Sequence, residues 1–543
     1  MGCLFATALL FLLFVSIPTH AQTVGANLSG TVTDPSGAVI PRASVIITNT
    51  GTGVTAKTAT NTKGIYTAHN LLPGTYNVTI SATGFRSGVE SGLILSVGEE
   101  KVLNESLSVG SSQQKVTVAA AAETVQLQSA AISGVLSTTA IRQLPLNGRS
   151  WTDLATLQPG VNQVRQMAAV GSPDRVGRGL GQELTVGGQR PQGNNYLLDG
   201  ISINDYSGQA PGSLLGGNLG VDAIAQFRVL TTDYSSQYGR STGGVITAIT
   251  RSGTNQFHGS AYEFLRNSAL DAQPYFNVGR NPPFRRNQFG ASAGGPIKKG
   301  KAFIFGDYEG LRQFLSVSNQ TQVFSDATLG IGTGPGGGPG PSMVACASSS
   351  DPNCNSSGTE TLSQYAAFNG FTIPNPDPTT GIDTGVLPYI KAFYPRMNGG
   401  VVPGSPDSGF YNFNGFQQVS ENYFTTRFDY HLGSMDTLAM VYMFDTNPGS
   451  QSDEFGNKTI LNKTQRQVAS VEETHIFGPS VVNIFRVGLS RVFAGAPAGV
   501  TAVNPLTSST SLGFQPGDSA GGVQGVPGLT DFSGGLSYLY PGT

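Results

Sequence analysis

Charged residues are scarce in this chain of 543 residues: Asp, Glu, Lys and Arg together make up 12% of it, against about 25% in ordinary soluble domains. The formal net charge is −2. The chain thus lacks a basic excess that would neutralise phosphates, and nucleic-acid binding has no electrostatic support. Tryptophan occurs once and cysteine three times, whereas glycine occurs 73 times and proline 31 times. This composition is typical of a β-rich surface protein with many turns, and it disfavours a helical cytosolic enzyme.

Long apolar runs are lacking as well. Beyond residue 21, no segment approaches the ~18 consecutive apolar residues that a membrane-spanning helix needs. Without such helices a chain crosses a bilayer only as a closed barrel, because strands paired on both edges leave no backbone group unsatisfied in lipid. A membrane location would therefore require a β-barrel.

The first 21 residues have the pattern of a cleaved export signal. Leu4 to Val15 is apolar or small throughout, about the length of a signal-peptide hydrophobic region. Thr19 and Ala21 place small residues three and one positions before the predicted cleavage after Ala21. A single-span membrane anchor is the alternative, and the shortness of the run disfavours it.

Two cysteines remain after that cleavage, Cys346 and Cys354, in a segment rich in Ser, Asn and Gly. In an oxidising compartment such a pair predicts a disulfide that closes a small loop. Metal binding is the alternative, but no histidine or third cysteine lies nearby in the sequence. The histidines share no metal-ligand spacing, and Glu472 and Glu473 lie on opposite faces of a strand. We therefore predict no catalytic set, no metal site and no cofactor.

Residues 24–109 alternate short apolar and polar positions, with turn signals about every ten residues. Seven or so strands of this kind predict a small β-sandwich, with Val78 and Ile80 on its inner face. The segment resembles the carboxypeptidase regulatory-like family, which has a prealbumin-like sandwich. The matches are Gly30-Thr-Val-Thr-Asp34, Gly37-Ala38, Gly64-Ile-Tyr66, Leu71-Leu-Pro-Gly-Thr-Tyr76 and Ala82-Thr-Gly-Phe85. The resemblance implies an accessory module, sometimes grouped with carbohydrate-binding-like folds, and no peptidase activity.

From Phe257 onward, runs of about ten residues carry the aromatic content. They are residues 257–265, 287–294, 302–311, 422–431, 436–445, 467–477 and 481–493. In the clearest run, one face has Phe424, Thr426, Phe428 and Tyr430, and the other has Thr425, Arg427, Asp429 and His431. In the last run, Val481, Phe485, Val487 and Leu489 share a face, with Arg486 and Ser490 opposite.

One apolar face and one charged face over ten residues predict a transmembrane barrel strand, with lipid outside and a wet lumen inside. A soluble β-sandwich has the same alternation, and the export signal favours the barrel. Residues 325–420 are rich in Gly, Pro, Asn and Ser, which predicts a long extracellular loop.

Residues 115–543 resemble the TonB-dependent receptors, in particular the Oar-like branch with an N-terminal regulatory-like sandwich. The resemblance is carried, in the correct order, by residues 194–205, 238–259, 285–297 and 303–310. It implies an all-β protein of the bacterial outer membrane: the sandwich, then a plug domain at 115–254, then an antiparallel barrel from residue 255. Within the plug, Asp199-Gly200 is interpreted as a hairpin turn rather than a Ca²⁺ site. Trp151 is interpreted as a core residue.

The resemblance also implies a TonB-type energy-coupling partner, which pairs with a short extended segment by adding a strand. The candidate is Val116, Thr117 and Val118, called the coupling segment below. The alternatives are that these residues form the first strand of the plug or the last strand of the sandwich. Outer-membrane lipid and an extracellular ligand, a glycan or a peptide, are the other implied partners.

A family barrel implies about twenty-two strands, whereas seven to nine are placed here. The chain thus resembles a receptor shortened at its C-terminus. We predict a transport receptor that is not an enzyme. A surface adhesion, carbohydrate-binding or structural outer-membrane protein without transport is the alternative. A carboxypeptidase is disfavoured because zinc ligands are lacking.

Overall fold

The protein is described from a computed structural model. It describes residues 25–110, 115–119, 132–143, 149–165, 182–204, 212–213, 219–235, 238–239, 241–272, 281–346, 348, 350–433, 435–452, 455–456, 458–478, 481–495, 500–503 and 505–508. The predicted export signal and its cleavage after Ala21 lie outside these residues. None of the helices in the described part is both long enough and apolar enough to cross a membrane.

The N-terminal unit is the predicted β-sandwich. Its strands are β1 (Ala26–Thr33), β2 (Ser44–Asn49), β3 (Thr55–Ala59), β4 (Ile65–Leu71), β5 (Gly74–Ser81), β6 (Ser87–Leu95), β7 (Glu100–Val102), β8 (Glu105–Ser106) and β9 (Lys115–Ala119). One sheet has the order β4-β1-β7, with β8 also paired to β1, and the other has the order β3-β2-β5-β6-β9. Val78 and Ile80 are buried, as their alternation predicted. They pack in an apolar core with Leu28, Ile47 and Tyr66.

The second unit is built around a five-stranded sheet. It contains β10 (Ile132–Ser137), α1 (Thr138–Gln143), β11 (Val161–Arg165), β12 (Gln182–Val186), β13 (Asn195–Leu198), β14 (Ile201–Ser202), β15 (Ile224–Thr232) and β16 (Val245–Thr250). The main sheet, called the plug sheet below, has the order β10-β15-β16-β13-β14, and β11 and β12 form a separate hairpin. This second unit is called the plug. Trp151 is 3% exposed and contacts Phe227 with ring centroids 5.7 Å apart. Its interpretation as a core residue is therefore confirmed.

The third unit is a curved antiparallel sheet, called the barrel wall below. In chain order the remaining elements are β17 (His258–Asn267), β18 (Phe284–Lys298), β19 (Ala302–Phe324), β20 (Met343–Ala345), β21 (Thr359–Thr361), α2 (Leu362–Phe368), α3 (Leu387–Phe393), β22 (Val401–Val402), β23 (Ser405–His431), β24 (Asp436–Ser452), β25 (Lys458–Gly478), β26 (Val481–Gly495) and β27 (Val500–Ala502). The wall has the order β17-β18-β19-β23-β24-β25-β26, with β22 on β23 and β27 on β25. Six of the seven predicted runs lie wholly within one of these strands, and the first, 257–265, begins one residue before β17. Within the described residues no pairing joins β26 back to β17.

The two faces of the wall differ as predicted. Thr425, Arg427 and Asp429 are 0–3% exposed on the inward face, whereas Phe424, on the opposite face of the same strand, is 42% exposed. On β26 the outward residues Val481, Phe485, Val487 and Leu489 are 56–62% exposed. The connections β18–β19, β23–β24 and β25–β26 are short and share one end of the wall, which in outer-membrane barrels is the periplasmic end.

The predicted loop at 325–420 ends earlier than expected, and that boundary was wrong. Residues 405–420 belong to β23, which pairs with β19 in an unbroken register from Ala302↔Tyr430 to Phe324↔Ser408. The polar composition misled because Gly, Asn, Ser and Gln also occur within this part of β23. The remaining segment has structure of its own: the β20–β21 hairpin, α2 and α3. An apolar cluster of Val323, Ala392, Tyr394 and Phe455 fixes its base.

The core of the sandwich can be tested at Ile47, which is 0% exposed. Ile47→Ala is expected to lower the free energy of unfolding of the sandwich by about 2–5 kcal/mol, since it removes buried methylenes and leaves a cavity. Hydrogen exchange of sandwich amides in the full chain measures this. The control Ile94→Ala, at a position 59% exposed, is expected to change it by less than about 0.5 kcal/mol. Equal effects of the two variants would contradict the assigned core.

The lipid-facing side of the wall can be tested on β26. Val487→Arg is expected to destabilise the wall by about 2–4 kcal/mol near the bilayer midplane, because a guanidinium is then placed in hydrocarbon. Denaturant titration of the full chain in lipid vesicles measures the change. Ser490→Arg, on the inward face of the same strand, is the matched control and is expected to be tolerated. A tolerated Val487→Arg would show that this face meets water.

Candidate functional site

A buried ion-pair cluster joins the plug sheet to the barrel wall. Arg427 on β23 donates from Nη1 to Asp199 Oδ1 at 3.1 Å and from Nη2 to Asp429 Oδ1 at 2.9 Å. The same Nη1 also donates to the Thr250 carbonyl at 3.3 Å. The side chains of Arg427, Asp199 and Asp429 are 4%, 10% and 1% exposed. Two carboxylates from different units thus flank one almost fully buried guanidinium.

Asp199 is positioned by the turn between β13 and β14. Leu198 pairs with Ile201, and Asp199 and Gly200 both have positive φ, 47° and 79°. These values match the two-residue hairpin turn that Asp-Gly favours, so that interpretation is confirmed. Burial raises the pKa of Asp199, while the Arg427 guanidinium and two hydrogen bonds from Thr250 lower it. The turn residue therefore also serves as the plug's contact with the wall.

A second charged contact lies higher in the lumen, on Arg149 of the plug. Arg149 Nη2 donates to Asp222 Oδ2 at 2.8 Å, and its Nε lies 3.5 Å from Glu309 Oε1 on β19. The guanidinium carbon also lies 4.0 Å from the centroid of the Tyr262 ring on β17, a cation–π contact. The Gly220 amide of the plug donates to Glu309 at 2.8 Å. The plug is thus attached to the wall through several separate strands.

Sequence reasoning placed Arg427 on the inward face but did not pair it. Its partner Asp199 lies 228 positions away, so no local spacing could reveal the contact. The composition of the chain did indicate that Arg427 needs a buried acidic partner, although it could not identify that partner. In a chain with 12% charged residues, an arginine and two acidic residues on buried faces each need a partner.

The coupling segment lies in β9, which is the last strand of the larger sandwich sheet. β9 runs parallel to β6, with Gly88 opposite Val116, Val89 opposite Thr117 and Glu90 opposite Val118. The structure therefore favours the alternative in which these residues extend the sandwich over the one in which they begin the plug. Their contact with an energy-coupling protein stays a prediction.

The sandwich is bound to the periplasmic end of the other two units. Asn70 Nδ2 donates to Glu472 Oε1 at 3.1 Å and to Thr474 Oγ1 at 3.0 Å on β25. On the plug, Gln226 Oε1 accepts from the Val97 amide at 3.0 Å. Arg228 donates to the Gly98 carbonyl, and burial lowers the pKa of this arginine. The sandwich thus contacts both the plug and the rim of the wall.

A cavity of about 420 Å³ lies where the three units meet. Its lining includes His69 of the sandwich, Arg251 after the plug sheet, and Arg427 and His431 of the wall. Burial lowers the pKa of His69. Basic and imidazole side chains of all three units thus meet in this cavity, on the periplasmic side of the plug.

Cys346 and Cys354 are joined in a disulfide, with Cα atoms 5.6 Å apart. The bridge lies beside the β20–β21 hairpin, where the Cys346 amide donates to the Gly358 carbonyl at 3.1 Å. It therefore closes a small loop in the segment between β19 and β23.

Glu472 and Glu473 point to opposite faces, as predicted. Glu472 accepts from Arg486 Nε at 2.7 Å on the inward side. On the other face Glu473, Asp436 and His475 bring potential ligand atoms within 4.8 Å of one another. Spacing along the chain did not reveal this group because Asp436 lies on a neighbouring strand, directly opposite His475. His475 Nδ1 lies 2.5 Å from Asp436 Oδ1, so these two already form a hydrogen-bonded pair.

The plug–wall contact can be tested at Arg427. Arg427→Ala leaves Asp199 and Asp429 buried without their guanidinium, and we expect the plug to lose about 3–5 kcal/mol of stability against release from the wall. Denaturant titration of the full chain, with tryptic cleavage of the plug as the readout, measures this. Arg396→Ala is the matched control. It breaks an ion pair with Asp326 in which the arginine is 63% exposed, and its effect on stability should be far smaller because water screens the exposed pair. Equal costs would contradict the buried cluster.

Two family models match the chain. The outer membrane beta barrel domain model matches residues 249–542, which is more than half of the chain. The carboxypeptidase regulatory-like domain model matches residues 27–108, the sandwich. Both matches agree with the units seen in the structure.

Among curated proteins, the TonB-dependent transporter Oar of Myxococcus xanthus is 26% identical over 299 residues, covering 52% of this chain and 26% of that protein. The chain thus spans about a quarter of the length of this relative. Among solved structures, the outer membrane transporter YddB of Escherichia coli is 11% identical with a TM-score of 0.41, covering 67% of this chain and 39% of that one. The siderophore receptor PirA of Acinetobacter baumannii is 16% identical with a TM-score of 0.31, covering 67% and 48%. The chain belongs to the outer-membrane β-barrel family, carries a carboxypeptidase regulatory-like domain and is similar to a TonB-dependent transporter, and its place is the outer membrane.

Proposed function

We propose that this protein works as a receptor that admits an extracellular ligand, using work delivered by a TonB-type protein in the periplasm. The observation that carries the proposal is the plug sheet held against the inward face of the wall by Arg427 and Asp199. A wide barrel without such a domain would be an open channel. A plug fixed by discrete buried contacts is closed at rest and opens when those contacts break.

Breaking the contacts requires work. Separating one buried ion pair costs about 3–5 kcal/mol when a charge is left without its partner. Arg427 and Arg149 each join the plug to the wall. Thermal motion alone would therefore rarely move the plug. A pull from the periplasmic side supplies the missing work, and this is the role we assign to the partner.

The pull has to reach the plug through the chain. The coupling segment in β9 precedes β10, the first described strand of the plug sheet. A partner strand that pairs with the coupling segment forms main-chain hydrogen bonds, whose strength does not depend on a particular side chain. Tension on β9 then passes along the chain into the plug sheet.

The ligand we propose is a glycan or a peptide, bound from outside by the plug and the extracellular segment between β19 and β23. That segment is stabilised by the Cys346–Cys354 disulfide and by its own apolar cluster. Such support holds a binding surface in place above the lumen.

The coupling segment is tested by deletion of residues 116–118. We expect capture by the purified periplasmic domain of the TonB-type protein to weaken by at least about tenfold, because the strand that pairs with it is lost. An epitope inserted in the segment between β19 and β23 should still be displayed at the cell surface. Deletion of residues 112–114, which precede the coupling segment in the sequence, is the matched control and should leave capture unchanged. An adhesion protein without transport would show no capture in any variant, and that result would contradict the proposal.

A further inference from the structure

We propose that strand β6 of the sandwich holds the coupling segment as an ordered edge strand, and that the partner's strand adds to the other edge of β9. The inference rests on the proposed function, since it concerns the same coupling segment. It gives the sandwich a specific task, which is to present the segment to the periplasmic protein.

The strand pairing is the first step. All five residues of β9 pair with β6 in one unbroken parallel register, from Ser87↔Lys115 to Ser91↔Ala119. β9 is the terminal strand of its sheet, and in the described part of the chain β6 is its one neighbour. Among the described residues no strand pairs with the other edge of β9, and the row of N–H and C=O groups on such an edge can pair with another chain.

The alternation of a strand's backbone makes this edge usable. Successive residues of a strand direct their N–H and C=O groups to opposite edges. Pairing with β6 therefore occupies only about half of the backbone groups of β9 and leaves the rest for an added strand. The partner fitted by this surface is an extended peptide of about five residues, whose side-chain sequence matters little.

Prior ordering is the second step. A disordered peptide loses conformational entropy when it becomes a strand, and this loss weakens binding. Because β6 has already fixed the backbone of β9, the conformational entropy of β9 is lost on folding of the sandwich and not on binding of the partner. We therefore expect tighter binding than an isolated peptide of the same sequence would give.

The position of β6, which acts as the template on which β9 is ordered, is the third step. β6 is fixed in the sandwich by β5 on its other side. The sandwich in turn contacts the plug through Val97 and Gln226, and the wall through Asn70 and Glu472. The edge strand is thereby held at the periplasmic end of the barrel, where a partner anchored across the periplasm arrives.

Hydrogen exchange of the full chain in detergent micelles tests the prior ordering. Without the partner, we expect about half of the amides from 115 to 119 to be protected at least about tenfold relative to an unstructured peptide. On addition of the periplasmic domain of the TonB-type protein, the remaining amides should become protected as well. Exchange of all five amides at the unstructured rate before the partner is added would overturn the proposal.

A reversible cross-link tests whether the partner adds to β9 or displaces β6. Ser91→Cys with Ala119→Cys joins two residues that lie opposite each other in the register, within the usual span of a disulfide. We expect capture of the oxidised protein to be unchanged or tighter. A loss beyond about twofold that a reductant reverses would overturn the proposal, because β6 and the partner would then compete for one edge.

Ser29→Cys with Thr67→Cys, which joins β1 to β4, is the matched control for oxidation within the sandwich. The deletion of residues 116–118 tests whether these residues bind the partner, separately from whether β6 orders them. If that deletion leaves capture intact, the proposed coupling segment is wrong. If the deletion abolishes capture and the oxidised cross-link also abolishes it, only the template role of β6 is wrong.

Discussion

Hydrocarbon offers no partner for a backbone N–H or C=O group, and this constraint governs the whole molecule. In the described residues, the inner strands of the barrel wall, from β18 to β25, meet it by pairing with a neighbour on each side over long registers, such as the one between β19 and β23. The same pairing fixes alternate side chains outward and inward. Outward positions such as Phe485 and Leu489 are apolar, whereas inward positions such as Arg427 and Asp429 are charged. The lipid outside thus determines which polar groups are left facing the lumen.

Charged side chains on the inner face of the wall require partners of opposite charge, and the plug supplies them at particular positions. Asp199 reaches Arg427 from a hairpin turn, and Arg149 reaches Glu309 and Tyr262. Each is a contact between residues that would be costly to bury alone. The contacts hold the plug against the wall, and in the function we propose they set the work needed to move it. The sandwich adds a third layer at the periplasmic end, where it holds β9 and contacts plug and wall.

The parts of this fold that follow from local pattern were predictable. Alternation placed Val78 and Ile80 in the sandwich core and Arg427 on the inward face, since period-two patterns act within one strand. Asp199-Gly200 predicted a turn because this dipeptide tolerates the positive φ that a two-residue hairpin turn requires at both positions. The ends of β19 and β23 were not predictable, because the apolar pattern stops where the strands leave the lipid. The Asp199–Arg427 pair and the β6–β9 pairing join residues far apart in the sequence, and a single sequence has no signal for them.

The central claim is that β17–β19 and β23–β26 cross a lipid bilayer with their aromatic faces outward. The most direct measurement is quenching of a single tryptophan by brominated lipid. The one native tryptophan, Trp151, is removed as Trp151→Phe, and Phe485→Trp places the probe on the outward face of β26. Strong quenching of this probe, with little quenching of Ser490→Trp on the inward face, is the predicted result. An unquenched probe at 485 would mean that this face packs against protein or water, and the membrane-spanning wall would be contradicted.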